Sequence, residues 1–176
     1  NSNKDSAPEF TSGAVANDIA ENSGAGQAVY TAVAVDDAAE NAVVTYSLSA
    51  ESDNGLSINS TTGVVTLATN PDHEVKSQYN FTVIAADAAG NQSQQAVKLV
   101  ITDLDEAAPN ITSSEAVEVS ENSGVNQVVY TAAANDNGDI TDGVITYSLS
   151  SDSDSSLSIK SVTGEVVLAD NPDHEV

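Results

Sequence analysis

A chain of 176 residues has room for one or two small domains. Four Lys+Arg against 27 Asp+Glu leave a formal net charge of −23, which excludes a grip on nucleic-acid phosphates and disfavours an anionic membrane surface. Cys is absent, so neither disulfides nor thiolate metal sites are available, and no apolar run approaches the ~18 residues of a membrane span. The polar start, Asn1 to Ser6, carries no signal-peptide pattern and reads as the middle of something longer.

In chain order, Ala14 to Ala20 reads as a first strand ending at the turn Glu21-Asn22-Ser23-Gly24. Gln27 to Val35 is apolar and β-rich, bounded by Gly26 and Asp36-Asp37. Val43 to Ser49 alternates, with Val44, Tyr46 and Leu48 on one face. Leu56 to Asn59 is a short strand, Thr61-Thr62-Gly63 a turn, and Val64 to Ala68 its partner. Gln78 to Asp87 alternates through Tyr79, Phe81 and Val83. Ala88 to Asn91 turns, and Ala96 to Thr102 closes the series. No stretch keeps a helical period. About seven short strands with turn signals between them predict an antiparallel Greek-key β-sandwich, with the Tyr residues serving as core.

The series then repeats. Glu21-Asn22-Ser23-Gly24 returns as Glu121-Asn122-Ser123-Gly124, and Val29-Tyr30-Thr31-Ala32 as Val129 to Ala132. Thr45 to Ser49 returns at Thr146 to Ser150, and Asn70 to Val75 at Asn171 to Val176, one residue further on. A period of about 100 residues is the size of one sandwich domain. The chain thus divides into a complete repeat over 7–105 and a partial one over 106–176 that lacks its last two strands.

Carboxylates gather in the loops: Glu21, Asp36-Asp37, Asp72 with Glu74, Asp87, the run Asp103, Asp105 and Glu106, then Asp136, Asp139 and Asp142. Ca²⁺ takes about six to eight oxygens, so several loops must converge to hold it. In an aligned sandwich the loops of one pole share it with the exit linker. That places Glu21, Asp72, Glu74 and Asp103 at the bottom of the first module, with Asp136 and Asp139 meeting them from the top of the second. Solvated acidic turns are the competing reading, since Asp suits turns anyway.

These pieces resemble the cadherin repeat. Asp103-Leu104-Asp105-Glu106-Ala107-Ala108-Pro109-Asn110-Ile111 is similar to the family's inter-repeat linker, and Asp5 to Phe10 to the tail of a preceding one. Glu21-Asn22 resembles its Glu-Asn motif, Asp72-His73-Glu74 its Asp-Arg-Glu, and Ala85-x-Asp87 its Ala-x-Asp. The likeness implies tandem immunoglobulin-like sandwiches with calcium between them. By that resemblance Glu21, Asp72, Glu74, Asp103, Asp105, Glu106, Asp136 and Asp139 are ligands, and Asp5, Asp36, Asp37 and Asp87 belong to the linker before. Glu121, Asp173 and Glu175 would serve a further one. The sequence departs from the pattern at Asp37-Ala38, at Asp105 and Ala107, and at Gly138, where the second carboxylate of the following module moves to Asp139. Fewer or weaker ions follow.

The expected function is a secreted or cell-surface adhesion or extender module, made rigid by calcium. Its partners would be neighbouring repeats and a homophilic or cell-surface partner. The acidic, Cys-free composition resembles bacterial cadherin-like repeats of large adhesins that serve cell adhesion or biofilm. A carbohydrate-binding accessory module of a secreted hydrolase is the alternative, and it needs an exposed aromatic pair. No enzyme is expected, because the two His stand at equivalent repeat positions, His73 and His174, with no nucleophile motif near them.

Overall fold

The computed structural model describes residues 5–37, 42–138, 140 and 144–175. They form two compact units, Asn1–Leu104 and Asp105–Val176, with no helix among the described residues. In the first unit a four-stranded sheet takes the order β2-β9-β8-β5, formed by Ile19–Ala20, Gln92–Thr102, Gln78–Ala86 and Thr45–Leu48. A three-stranded sheet, β3-β7-β6, is formed by Gln27–Thr31, Val64–Leu67 and Leu56–Ile58. A short pair, β1 (Glu9–Phe10) with β4 (Ala34–Val35), forms a separate two-stranded sheet. All pairs in this unit are antiparallel except β2 with β9, which run parallel beside an isolated parallel bridge from Val15 to Lys98.

Alternation decides which side chains go inward. Tyr79, Phe81, Val83 and Ala85 of β8 and Val97, Leu99 and Ile101 of β9 meet Val65, Leu67 and Val29 from the other sheet, all buried. Phe81 stands edge-on to Tyr30, ring centroids 5.7 Å apart. Tyr30 and Tyr46 keep their hydroxyls bonded, as burial requires. Tyr46 accepts the Ala34 N–H at 2.9 Å, and Tyr30 donates to the Gly13 carbonyl at 2.6 Å. Among the described residues every aromatic side chain is buried or half-buried.

Several boundaries differ from the sequence reading. The expected strand over 14–20 keeps only Ile19–Ala20, because the chain before it touches β9 by the single bridge at Val15. Gln27 to Val35 divides at Ala32, where the chain leaves β7 and pairs with β1 instead. The last strand begins at Gln92, extending the hairpin with β8 to nine partnered residues. Glu9–Phe10 was not anticipated, since two residues carry too little pattern.

The second unit repeats half of this plan. Asn110–Ile111 (β10) pairs with Ala134–Asn135 (β12) as β1 does with β4. Gln127–Thr131 (β11), Leu157–Ile159 (β13) and Glu165–Leu168 (β14) reproduce the three-stranded sheet, including its irregularity between positions 128 and 130. Tyr130 and Tyr147 repeat the hydroxyl contacts of Tyr30 and Tyr46. Thr146 to Leu149, however, carries the sequence of β5 without strand pairing among the described residues.

The Thr-Gly turn is a steric requirement in both units. Gly63 sits at φ 73°, where a Cβ would lie 2.3 Å from the Ala32 carbonyl oxygen that faces it, and Gly164 repeats this against Ala132. Gly63→Ala should therefore lower stability by more than about 1 kcal/mol in urea unfolding, since neither backbone angle nor space suits a methyl group. Gly13→Ala, at an open position, should stay within about 0.5 kcal/mol of the parent.

Candidate metal centre

The turn Glu21-Asn22-Ser23-Gly24 is held at one end of the first unit by the segment around Pro71. Asn22 donates its N–H to the Pro71 carbonyl at 2.9 Å, and Gly24 donates to the Asn70 side-chain oxygen at 2.8 Å. Asn22 takes the left-handed conformation, φ 57°, which Asn tolerates better than most residues. This turn folds the Glu21 side chain inward until it is 1% exposed. Its two oxygens accept backbone N–H groups from His73 at 2.9 Å and from Leu104 at 2.6 Å. One carboxylate thereby ties together the first turn, the Asp72–Glu74 loop and the exit of β9.

Glu74 and Asp103 join it. One ligand oxygen from each of Glu21, Glu74 and Asp103 lies within 4.8 Å of the others. Two oxygens each about 2.3–2.6 Å from one Ca²⁺ stand no more than about 5 Å apart, so this spacing fits a hard cation. The donors are all carboxylate oxygens, the chemistry that Ca²⁺ selects. His73 borders the cluster: its Nδ1 bonds the Ile101 carbonyl at 2.8 Å, and its Nε2 lies 3.9 Å from Asp103 Oδ2.

Electrostatics follow from this crowding. The Leu104 and His73 N–H donors hold the Glu21 carboxyl below its usual range, against the cost of its burial. Glu74 is pulled down by its own backbone N–H but ends above its usual range, pushed there by burial and by the negative charge of Glu21 and Asp103. The Ile101 carbonyl lifts His73, burial opposes it, and the charges of Asp103, Glu74 and Glu21 add to the lift. The cluster thus calls for positive charge from two of its members at once.

At the opposite motif set of the same unit, Asp5, Asp36 and Asp37 bring oxygens within 4.8 Å of one another. Burial, then the charges of Asp87, Asp36 and Asp37, raise Asp5. Asp87 is buried and clamped by Asn91, whose backbone and side-chain N–H groups reach its two oxygens at 2.8 Å each. Those donors, the Asn91 side chain foremost, lower its carboxyl against burial, with help from the Ala89 and Gly90 N–H groups.

The remaining expected ligands divide. Asp72 is exposed and turns Oδ1 to the Val75 N–H at 3.0 Å, capping its own loop rather than joining the three-carboxylate group. Asp105 and Glu106 are exposed members of the second unit. Asp136, in that unit, is half-buried, and its Oδ1 has no hydrogen-bond partner among the described residues. Asp139 and Asp142 lie outside the described residues. Sequence reasoning missed the part played by backbone: nothing in Leu104 or Ile101 as residue types announces the N–H and C=O that organise Glu21 and His73.

Three comparisons bear on this geometry. The family model described as "Cadherin domain" matches residues 16–104. The Cadherin EGF LAG seven-pass G-type receptor fmi-1 of Caenorhabditis elegans is 32% identical over 176 residues, covering 97% of this chain and 7% of its own length. Cadherin-related family member 1a of Danio rerio is 34% identical over 172 residues, covering 93% and 19%. The chain therefore spans less than a fifth of either relative. Among solved structures, human protocadherin-24 EC1-2 superposes with a TM-score of 0.71 at 23% identity, over 97% of this chain and 81% of that one. Human CDH23 EC21-23 does so with a TM-score of 0.64 at 26% identity, over 98% and 56%.

The lowered Glu21 carboxyl sets a pH dependence in metal-free protein. Its folded value lies below the unfolded one, so it stabilises above the usual carboxylate range and loses that contribution as pH falls through the folded value. In EDTA, the urea midpoint of Glu21→Gln should sit well below that of the parent at pH 7. The gap should narrow steadily as the pH is taken below about 4.

Proposed function

Because the chain belongs to the cadherin domain family, we propose that it is a calcium-binding extracellular adhesion or extender module. In this reading calcium is held by Glu21, Glu74 and Asp103 and stiffens a tandem array where one repeat passes into the next. Cadherin domains are adhesion modules of cell-surface ectodomains, not enzymes, and bind Ca²⁺ at inter-repeat linkers. The observation that carries the proposal is the grouping of Glu21, Glu74 and Asp103 oxygens within 4.8 Å. By the family resemblance, Asp105, Glu106, Asp136 and Asp139 would supply further oxygens from the second repeat. Asp72 would join only if its loop cap with Val75 opened. Asp5, Asp36, Asp37 and Asp87 would serve a preceding linker in the same way.

Bound calcium supplies charge neutralisation, and the chain's own residues supply the framework. Glu21 is fixed by two backbone donors, so it is already ordered for an ion. Glu74 is reached through the same loop, and Asp103 by the end of β9. Neighbouring repeats of the same chain, and a homophilic or cell-surface partner, are the partners in view. The placement in a large secreted bacterial adhesin rests on composition alone, and the relatives reported above are animal cadherins. The carbohydrate-binding alternative is not favoured, because among the described residues no aromatic side chain is exposed to form a sugar platform.

Thermal unfolding in EDTA and across a calcium titration tests the proposal. Calcium should raise the melting temperature, with a stabilisation of about 2.7 kcal/mol at 100 times Kd, and magnesium should do much less. Glu74→Gln combined with Asp103→Asn should remove most of the rise. A melt indifferent to calcium would leave an acidic spacer as the better reading.

A further inference from the structure

An Asn side chain is chemically labile where its carbonyl carbon can meet the next backbone nitrogen, and a Gly in the next position leaves that nitrogen uncrowded. The first unit carries this pair at Asn54–Gly55, in the turn between β5 and β6. Both residues are exposed, Gly55 stands at φ 86°, and a Cβ placed on it would meet no atom within 4 Å. Among the described residues no hydrogen bond holds the Asn54 carboxamide or the Gly55 N–H. Other Asn side chains of the unit are tied. Asn59 Oδ1 accepts the Thr61 and Thr62 N–H groups at 3.0 Å each, and Asn91 is clamped on Asp87. They are followed by Ser60 and Gln92, whose side chains crowd the nitrogen. The same Asn-Gly dipeptide recurs at Asn137–Gly138, in a loop that continues into residues outside the described ones.

What lies on either side gives the Asn54 turn a mechanical role. Asp53 holds β8: its N–H donates to the Asn80 carbonyl at 2.9 Å, and its Oδ2 accepts the Asn80 N–H at 2.6 Å and lies 3.3 Å from Lys76 Nζ. On the other side the Gly55 carbonyl accepts the Ala68 N–H at 2.8 Å, and Leu56 is partnered with Leu67 of β7. Because β8 belongs to the four-stranded sheet and β7 to the three-stranded one, Asn54 links an anchor on one sheet to an anchor on the other. The second unit builds the equivalent turn with Ser155–Ser156, where the Ser156 carbonyl accepts the Ala169 N–H at 2.9 Å. That turn forms without a carboxamide.

We propose that Asn54 is a self-modification site, where loss of ammonia and isomerisation to isoaspartate loosen the tie between the two sheets of the first unit. The Gly55 nitrogen, its proton taken by hydroxide, attacks Asn54 Cγ. A C–N bond forms, the Cγ–Nδ2 bond breaks, and ammonia leaves with a proton from water. Water then opens the resulting succinimide ring at either carbonyl. Opening at the Cγ carbonyl gives ordinary aspartate. Opening at the main-chain carbonyl leaves the chain running through Cβ and Cγ, with an extra backbone carbon between the Asp53 and Gly55 anchors. Of the two anchors, the half-buried Asp53 yields before the pairing of Leu56 with the buried Leu67. The new carboxylate also adds negative charge beside Asp53. No carboxylate of the Glu21 group takes part, so the change is independent of calcium.

The test ages the full chain in mildly alkaline buffer and maps its peptides by tandem mass spectrometry, with Asn137 read in its own peptide. Isoaspartate should form at Asn54 at least about tenfold faster than at Asn59 or Asn91. Aged protein should exchange the Asn80 amide about tenfold faster than fresh protein. Asn54→Asp, used fresh, adds the charge without the extra carbon and should exchange Asn80 within about twofold of the parent. Asn54→Ser combined with Gly55→Ser, the pair that the second unit uses, should show no change at Asn80 on ageing. Equal conversion at Asn54, Asn59 and Asn91 would overturn the inference, as would isoaspartate at Asn54 with Asn80 exchange unchanged. The same loss of Asn80 protection in the doubly substituted chain would overturn it too.

Discussion

The candidate site of the first unit is organised around the more deeply buried of its two buried carboxylates, Glu21. Placing the Glu21 carboxylate out of water is costly unless donors replace its hydration. Here the donors are backbone N–H groups of His73 and Leu104, from parts of the chain that sequence separates widely. Their convergence fixes the first turn, the Asp72–Glu74 loop and the departure from β9 in one arrangement. It also concentrates negative charge, because Glu74 and Asp103 come along with the loops that supply the donors. Fold and site are therefore one constraint seen twice: the contacts that bury Glu21 are those that assemble the carboxylates.

Charge explains why such an arrangement suits this chain. With 27 acidic and 4 Lys+Arg residues, self-repulsion opposes compactness throughout. The cations present are spent elsewhere in part, Lys76 on Asp53 at 3.3 Å and Lys160 on Glu165 at 2.6 Å. Beside the cluster stands a partly exposed imidazole, raised toward its charged form. A chain without Cys has no disulfides to resist the repulsion. Bound divalent cations would relieve it where the carboxylates are densest, and would couple folding to metal.

Much of this was legible in the residues. Alternation through Tyr79, Phe81 and Val83, and through Val97, Leu99 and Ile101, marks the inward faces because a strand has a period of two. The repeat from Glu21 to Glu121 shows the module size. Glu21, Glu74 and Asp103 could be grouped by reasoning from the pole of a sandwich. What stayed hidden depends on backbone and context. Asp72 has the same motif standing as Glu74, yet its short side chain reaches its own loop amide first, as Asx side chains tend to do. The division of Gln27 to Val35 at Ala32 has no residue signal, since it arises from a change of pairing partner. Thr146 to Leu149 shares the sequence of β5 but not its pairing, because a strand is made by its neighbour as much as by its own side chains.

The most direct measurement is a calcium titration of isotope-labelled protein followed by amide chemical shifts. If Glu21, Glu74 and Asp103 hold the ion, saturable shifts will concentrate at the amides of His73, Glu74 and Leu104 and will reverse with EDTA. Small, non-saturating shifts spread over exposed carboxylates such as Glu51 and Asp154, with His73 and Leu104 unmoved, would contradict a built site and leave only diffuse screening of an acidic surface.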